Sequence, residues 1–200
     1  MVGYHSIVVS RSKLNITGFS LSDKDKTDLL RIARSTVENI TRTGQVPDID
    51  ENDFSENIKK HCGAFVTLNK NYQLRGCIGR FTADEPLYTI VQDMAVASAT
   101  QDSRFNPVTQ DELKEIEIEI SVLTPMINIE SIDEIELGRH GIYIKKGYRT
   151  GTFLPQVATE TGWTLEEFLG HCSRDKAGIG WDGWKEAEIY IYEAVVFSEE

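Results

Sequence analysis

The chain has 200 residues, of which 40% are hydrophobic and 26% are charged, and this composition is that of a globular protein rather than a disordered or fibrous one. Its 32 acidic and 21 basic side chains give a formal net charge of −11, which disfavours nucleic acid as a partner because the surface repels phosphates. No apolar run reaches the roughly 18 residues of a membrane-spanning helix, and residues 1 to 20 lack a signal-peptide core.

The number of cysteines indicates the cellular compartment of the protein. Cys62, Cys77 and Cys172 are too few for a disulfide framework, and an odd number without a signal peptide indicates reduced thiols. We therefore expect a cytoplasmic protein with no membrane partner.

The first regular element that the sequence predicts is a helix. Residues 1 to 20 show no sustained hydrophobic period and are interpreted as an N-terminal extension. From about residue 22 to 43, apolar residues recur at helical spacing, Ser22 can cap the start, and Gly44 suits the end. The stretch from 45 to 57, rich in Asp and Asn, is predicted to be a loop.

A β-hairpin and a second helix follow. The hairpin is predicted to have strands at 64 to 68 and 72 to 78. Thr82 and Glu85 have capping-box spacing, and the apolar residues behind them predict a helix over about 84 to 101. It should end before Pro107, because proline disfavours helix at the residue that precedes it.

Strand patterns dominate the second half of the chain. The remaining predicted elements are a strand at 115 to 123, a hairpin at 141 to 147 and 150 to 154, a short helix from Pro155, a helix at about 163 to 172, and a strand at 188 to 197. Hairpins and single strands lie among the helices, and repeated strand-helix-strand units are lacking. This order predicts an α+β fold with a mainly antiparallel sheet flanked by helices.

The most informative segment is LRGCIG, residues 74 to 79. Alternation along the predicted strand places Arg75 and Cys77 on one face. A guanidinium beside a thiol favours the nucleophilic thiolate, while Gly76 and Gly79 allow a backbone or a ligand to approach closely. In the structural alternative, which the residues alone favour, Cys77 is a small buried hydrophobe and Arg75 pairs with a surface carboxylate.

A nucleophilic cysteine also needs a base, and the candidates are His61, His171 and Glu119. Arg104 follows the second helix and is a candidate for binding a substrate carboxylate or phosphate. Alternatively, it is a cation that interacts favourably with the C-terminal end of the helix dipole. The two His-Cys pairs lack the spacing of metal ligands, which disfavours a metal site. Glycine-rich nucleotide motifs do not occur, so ATP-driven and dinucleotide chemistries lack support, and the cofactor is unknown.

Several ordered motifs resemble those of the AMMECR domain family, called protein A of the AmmeMemoRadiSam system in bacteria. They span about residues 22 to 197 and comprise LRGCIG, Pro86-Leu-Tyr88, Ser103-Arg-Phe105 with Pro107-Val108, Leu154-Pro-Gln-Val-Ala158 with Gly162-Trp163, Lys176-Ala-Gly178 and a Tyr-rich closing strand.

The chain departs from the family pattern at two places. It has Asp102-Ser103 where the family usually has Asp-Pro, and its segment from Cys172 to Lys176 is two residues longer than the family's Cys-x-Lys-Ala-Gly element.

The resemblance implies one α+β domain over residues 21 to 200, with a larger part around an antiparallel sheet, a smaller subdomain, and LRGCIG near a cleft between them. It also implies partners, because bacterial and archaeal relatives are encoded beside, or fused to, a Memo-type protein and a radical SAM protein. It implies no particular reaction.

Two functions are consistent with these observations. The first is an enzyme or enzyme subunit, with Cys77, Arg75 and His171 as catalytic candidates and Arg104, Gly76 and Gly79 as substrate-binding candidates. The second is a non-catalytic binding or scaffold module for the Memo-type and radical SAM partners.

Overall fold

The computed structural model describes residues 19–52, 54–81 and 84–199. The chain divides into two compact units. Unit 1 combines Met1–Val122 with Val196–Glu200, and unit 2 is Leu123–Val195. Residues 1 to 18 of the predicted extension lie outside the described residues.

Helices and antiparallel strands confirm the predicted α+β class. The helices are α1 (Asp23–Thr43), α2 (Leu87–Thr100), α3 (Pro155–Thr161) and α4 (Leu165–His171). The strands are β1 (Ala64–Lys70), β2 (Gln73–Arg80), β3 (Ile116–Leu123), β4 (Ile127–Asn128), β5 (Gly141–Lys146), β6 (Arg149–Phe153), β7 (Glu188–Tyr192) and β8 (Ala194–Ser198).

Unit 1 is built on a sheet with the strand order β2-β1-β3-β8. The alternation predicted for β3 buries Ile116, Ile118 and Ile120, which join one hydrophobic core with residues of α1 and α2. Helix α1 begins with a capping box formed by Ser22 and Asp25 and ends at Gly44 in the left-handed conformation. Its ends therefore agree with the prediction.

Helix α2 starts later than predicted. Pro86 occupies its N-cap position with extended ψ and without a side-chain capping bond. Because Pro86 disfavours helical backbone at Glu85, the helix begins only at Leu87. Thr82, which was predicted to open the capping box, lies outside the described residues.

Unit 2 is built on a second sheet with the strand order β4-β7-β5-β6. Its core joins Ile142 and Ile144 of β5 to Phe168 and Leu169 of α4. A capping box formed by Thr164 and Glu167 opens α4, as the sequence predicts. The helix then continues into a π-helical turn over Cys172–Lys176.

The single closing strand predicted at 188 to 197 is wrong. The run contains two strands in different sheets, with β7 in unit 2 and β8 in the sheet of unit 1. They are separated by Glu193, which accepts a hydrogen bond from the backbone N–H of Thr124 and donates one to the Thr124 hydroxyl, both at 2.8 Å. A continuous β-branched and aromatic run cannot reveal such a change of sheet, because residues of these types favour a strand in either sheet. In the described part of the chain, no helix is long and apolar enough to cross a membrane.

Candidate functional site

A β-bulge in β2 determines how Arg75 is presented. Leu68 pairs with Gly76 while Asn69 pairs with Leu74, which leaves Arg75 as the extra residue. A bulge interrupts the alternation of side chains between the two faces of a strand. The simple period that predicted a shared face for Arg75 and Cys77 therefore does not apply here, and contacts must define the direction of each side chain.

The Arg75 guanidinium is engaged by a carboxylate. Its Nε and Nη2 atoms donate to the two carboxylate oxygens of Glu112 at 3.0 and 2.9 Å, and Nη2 also donates to the Pro107 carbonyl at 3.3 Å. Hydrogen bonds from Arg75 lower the pKa of Glu112 to about 2. Arg75 thus pairs with a carboxylate, as in the structural alternative, but that carboxylate is largely buried and not at the surface.

The Cys77 thiol is half-buried. The Thr67 hydroxyl donates to its Sγ at 3.3 Å. Burial raises the pKa of the Cys77 thiol, and this effect exceeds the opposite influence of Thr67 and Arg104. The raised pKa favours the neutral thiol at pH 7, which agrees with the structural alternative and not with the thiolate of the nucleophile hypothesis.

The backbone of Cys77 is held by two side chains from the loop after α2. The Cys77 N–H donates to Asp102 Oδ2 at 2.8 Å, and Arg104 Nη2 donates to the Cys77 carbonyl at 3.1 Å. Because β2 is an edge strand, these contacts satisfy polar groups that a neighbouring strand would otherwise pair. We call Asp102 and Arg104 the edge clamp.

The edge clamp is itself an ion pair. Arg104 donates from Nε and Nη2 to the two Asp102 oxygens at 2.9 and 2.7 Å. The Asp102 side chain is only 4% exposed, whereas that of Arg104 is 54% exposed. Hydrogen bonds from Arg104 hold the pKa of Asp102 well below its usual range.

The sequence analysis did not identify Asp102 as a site residue, although an Asp at the start of a turn, two residues before an Arg, fits an Asx turn.

The two glycines of LRGCIG make room for the protein itself. A Cβ on Gly76 would lie 2.4 Å from the Ser98 carbonyl oxygen of α2, and one on Gly79 would lie 2.1 Å from the Phe65 ring. The Ser98 hydroxyl accepts from the Ile78 N–H and donates to the Val66 carbonyl, which ties α2 to the hairpin. Of the two predicted alternatives, a backbone or a ligand, it is the backbone of α2 that approaches Gly76, and the Phe65 side chain approaches Gly79.

Neither Glu119 nor His61 contacts the thiol of Cys77. Thr67 pairs with Cys77 on one side and with Glu119 on the other, so about 10 Å, or two strand spacings, separates Glu119 from Cys77. Burial raises the pKa of Glu119. His61 is exposed at a bridge to Pro86. His171 belongs to unit 2, where its Nδ1 lies 2.9 Å from Asp175 Oδ2.

The other two cysteines are buried. Burial raises the pKa of Cys62 to about 11 and that of Cys172 to about 12. Among the residues that the structure describes, no group of three or more His, Cys, Asp or Glu side chains is arranged to hold a metal ion.

Two antiparallel sheets flanked by helices, with LRGCIG on an edge strand, define an α+β class of protein. The family model AMMECR1 matches residues 30–197. The chain therefore belongs to the AMMECR1 family.

Relatives of known sequence and structure agree with this assignment. Protein MK0488 of Methanopyrus kandleri is 40% identical over 86% of this chain and 87% of its own length. A protein of Methanosarcina mazei is 37% identical over 90% of this chain and 94% of its own length. The chain is also similar to the uncharacterised protein PH0010 from Pyrococcus horikoshii, whose sequence is 37% identical. Its crystal structure superposes with a TM-score of 0.74, and the match covers 86% of this chain and 90% of that chain.

Proposed function

We propose that this member of the AMMECR1 family is a partner-binding subunit, and that the surface around Cys77 recognises a partner rather than performing nucleophilic chemistry. Its proposed partners are a Memo-type protein and a radical SAM protein. One observation carries the proposal: both guanidinium groups near Cys77 are already paired with carboxylates.

The free energy of these ion pairs argues against an anion site for a small substrate. A substrate phosphate or carboxylate that bound Arg104 through Nε and Nη2 would have to displace Asp102, which is almost fully buried. An uncompensated buried charge costs roughly 3 to 5 kcal/mol. The pair between Arg75 and Glu112 imposes a similar restriction, since both side chains are largely buried.

Next to the edge clamp, the exposed Arg104 and the partly exposed Phe105 instead form a surface suited to a protein. The Phe105 ring lies 5.5 Å from the Arg104 guanidinium carbon and 5.9 Å from that of Arg75. Arginine and aromatic side chains are the residue types enriched at the energetic centres of protein interfaces. We call Phe105 and Arg104 the Arg-Phe surface, and propose it as the docking surface.

Replacing Phe105 by alanine tests this docking surface. We expect at least a roughly tenfold loss of affinity for a co-expressed Memo-type or radical SAM protein, because truncating an interface anchor costs about 2 kcal/mol. Binding would be measured by calorimetry on the full chain. Tyr148→Ala, which removes a fully exposed ring in unit 2, is the matched control.

Cys77→Ser separates binding from chemistry. Serine keeps a small side chain able to accept the hydrogen bond from Thr67, so complex formation and the output of the complex should both stay at the wild-type level. Loss of output with binding retained would refute the proposal and favour the enzyme. Unchanged binding in folded Phe105→Ala would refute the docking surface alone.

The reactivity of Cys77 provides an independent measurement. With burial raising its pKa, alkylation of the full chain by iodoacetamide should be slow at pH 7, and the rate should still be rising above the ordinary thiol pKa of about 8.5. Cys62 and Cys172 are at most 1% exposed and should stay unmodified while the chain is folded, so mass spectrometry would report on Cys77. A rate that reaches its plateau below pH 7 would instead show an activated thiolate.

A further inference from the structure

The end of α4 brings a histidine and an aspartate together. His171 is the last residue of α4, and the π-helical turn Cys172–Lys176 follows it. Within that turn, Asp175 Oδ2 lies 2.9 Å from His171 Nδ1. Short π-helical segments are rare and often occur at functional sites.

Aromatic rings fix the orientation of the imidazole. The Trp163 ring stacks on His171 with a centroid distance of 4.0 Å and an interplanar angle of 9°, and Trp181 meets it edge-on at 5.0 Å and 75°. Gly170 allows Trp181 this position, because a Cβ there would lie 2.4 Å from the indole. The His171 ring is therefore held by both neighbouring indoles and by a hydrogen bond.

The charges around Asp175 determine which nitrogen carries the proton. Arg174 donates from Nε and Nη2 to the two Asp175 oxygens at 2.5 and 2.9 Å. These hydrogen bonds, and to a smaller extent the one with His171, hold the pKa of Asp175 well below its usual range. A carboxylate can only accept, so it favours a proton on Nδ1. Arg174 Nη2 also lies 3.2 Å from Nδ1, but this contact is longer than the 2.9 Å contact with the carboxylate, which a lone pair on Nδ1 would make repulsive.

The other ring nitrogen of His171, Nε2, is available to accept a hydrogen bond. With Nδ1 protonated, Nε2 carries a lone pair, and no residue in the described ranges hydrogen-bonds to it. The His171 side chain is 24% exposed, so a small molecule can reach the ring. A base whose second nitrogen is oriented by a carboxylate is the arrangement of a general acid-base histidine.

We propose that His171, oriented by Asp175, is a proton acceptor for a hydroxyl group or water molecule bound at Nε2. In this step the O–H bond breaks, the Nε2–H bond forms, and the electron pair stays on the oxygen. The positive charge of the imidazolium is then stabilised by the Asp175 carboxylate. The site lies wholly in unit 2 and does not depend on the docking surface of unit 1.

The tautomer of His171 provides the first test. In a long-range proton-nitrogen correlation spectrum of the ¹⁵N-labelled full chain at pH 8, the neutral His171 ring should carry its proton on Nδ1. A proton on Nε2 would overturn the proposal, since that nitrogen could then only donate. This measurement needs no variant.

Modification by diethyl pyrocarbonate provides the second test. The imidazole nitrogen attacks the carbonyl carbon, an N–C bond forms, and ethyl carbonate leaves, and peptide mapping gives the rate at each histidine. In Asp175→Asn at pH 7 the ratio of the His171 rate to that of the exposed His61 should fall about tenfold, the lower end of the loss seen when the carboxylate partner of a metal-binding histidine is removed. His140 is 2% exposed and should stay unmodified, which reports that the variant is folded. An unchanged ratio would show that Asp175 serves only to stabilise the turn.

Discussion

Replacing Gly76 by alanine is expected to destabilise unit 1 by about 3 kcal/mol, the upper end of the usual cost of overpacking. The new Cβ would lie 2.4 Å from the Ser98 carbonyl oxygen, which is a backbone atom and cannot rotate away. Relief therefore requires α2 to move from β2. That movement would also strain the hydrogen bonds that the Ser98 hydroxyl makes to Ile78 and Val66.

Gly44 provides the matched comparison within unit 1. It has a left-handed backbone with φ +72°, but a Cβ there would have no neighbour within 4 Å. Gly44→Ala should cost only about 1 kcal/mol, the conformational penalty of a left-handed residue. Urea unfolding at constant m-value measures both free energies. Equal losses in the two variants would contradict the close approach of α2 to β2.

Local signals allowed parts of this fold to be predicted. The helical spacing of apolar residues, the cap at Ser22 and the glycine at position 44 depend only on neighbours within one or two turns, and they gave both ends of α1 correctly. The alternation in β3 is equally local. In contrast, the division of the closing run into β7 and β8 depends on which sheet each half joins, and composition carries no information about that.

The candidate site illustrates the same limit. The sequence singled out Arg75 and Cys77 as site candidates, and in the structure both residues hydrogen-bond to carboxylates. Their partners, however, come from distant segments: Glu112 is 37 residues beyond Arg75, and Asp102 is 25 beyond Cys77. A bulge that shifts the register by one residue also alters every argument from alternation. The chemistry assigned to a motif therefore changes once its long-range partners are known.

Replacing Asp102 by alanine is the second large expected effect, with a loss of about 2 to 3 kcal/mol in the free energy of unfolding. The substitution removes the acceptor of the Cys77 N–H and leaves Arg104 without its carboxylate, and a hydrogen bond to a charged group that is lost from a buried site costs this much. Asp111→Ala, at an exposed position in the same loop region, should change stability by less than about 0.5 kcal/mol.

The pH dependence of the Asp102→Ala effect identifies its electrostatic origin. Arg104 depresses the folded-state pKa of Asp102, so the stabilisation is complete above the ordinary Asp pKa of about 3.9 and is lost as the pH falls through the lower folded-state value. The difference between wild type and Asp102→Ala should therefore be constant from pH 6 to 8 and should narrow below about pH 4. A difference that stays constant down to pH 2 would mean that packing, rather than the ion pair with Arg104, holds the edge of β2 at Cys77.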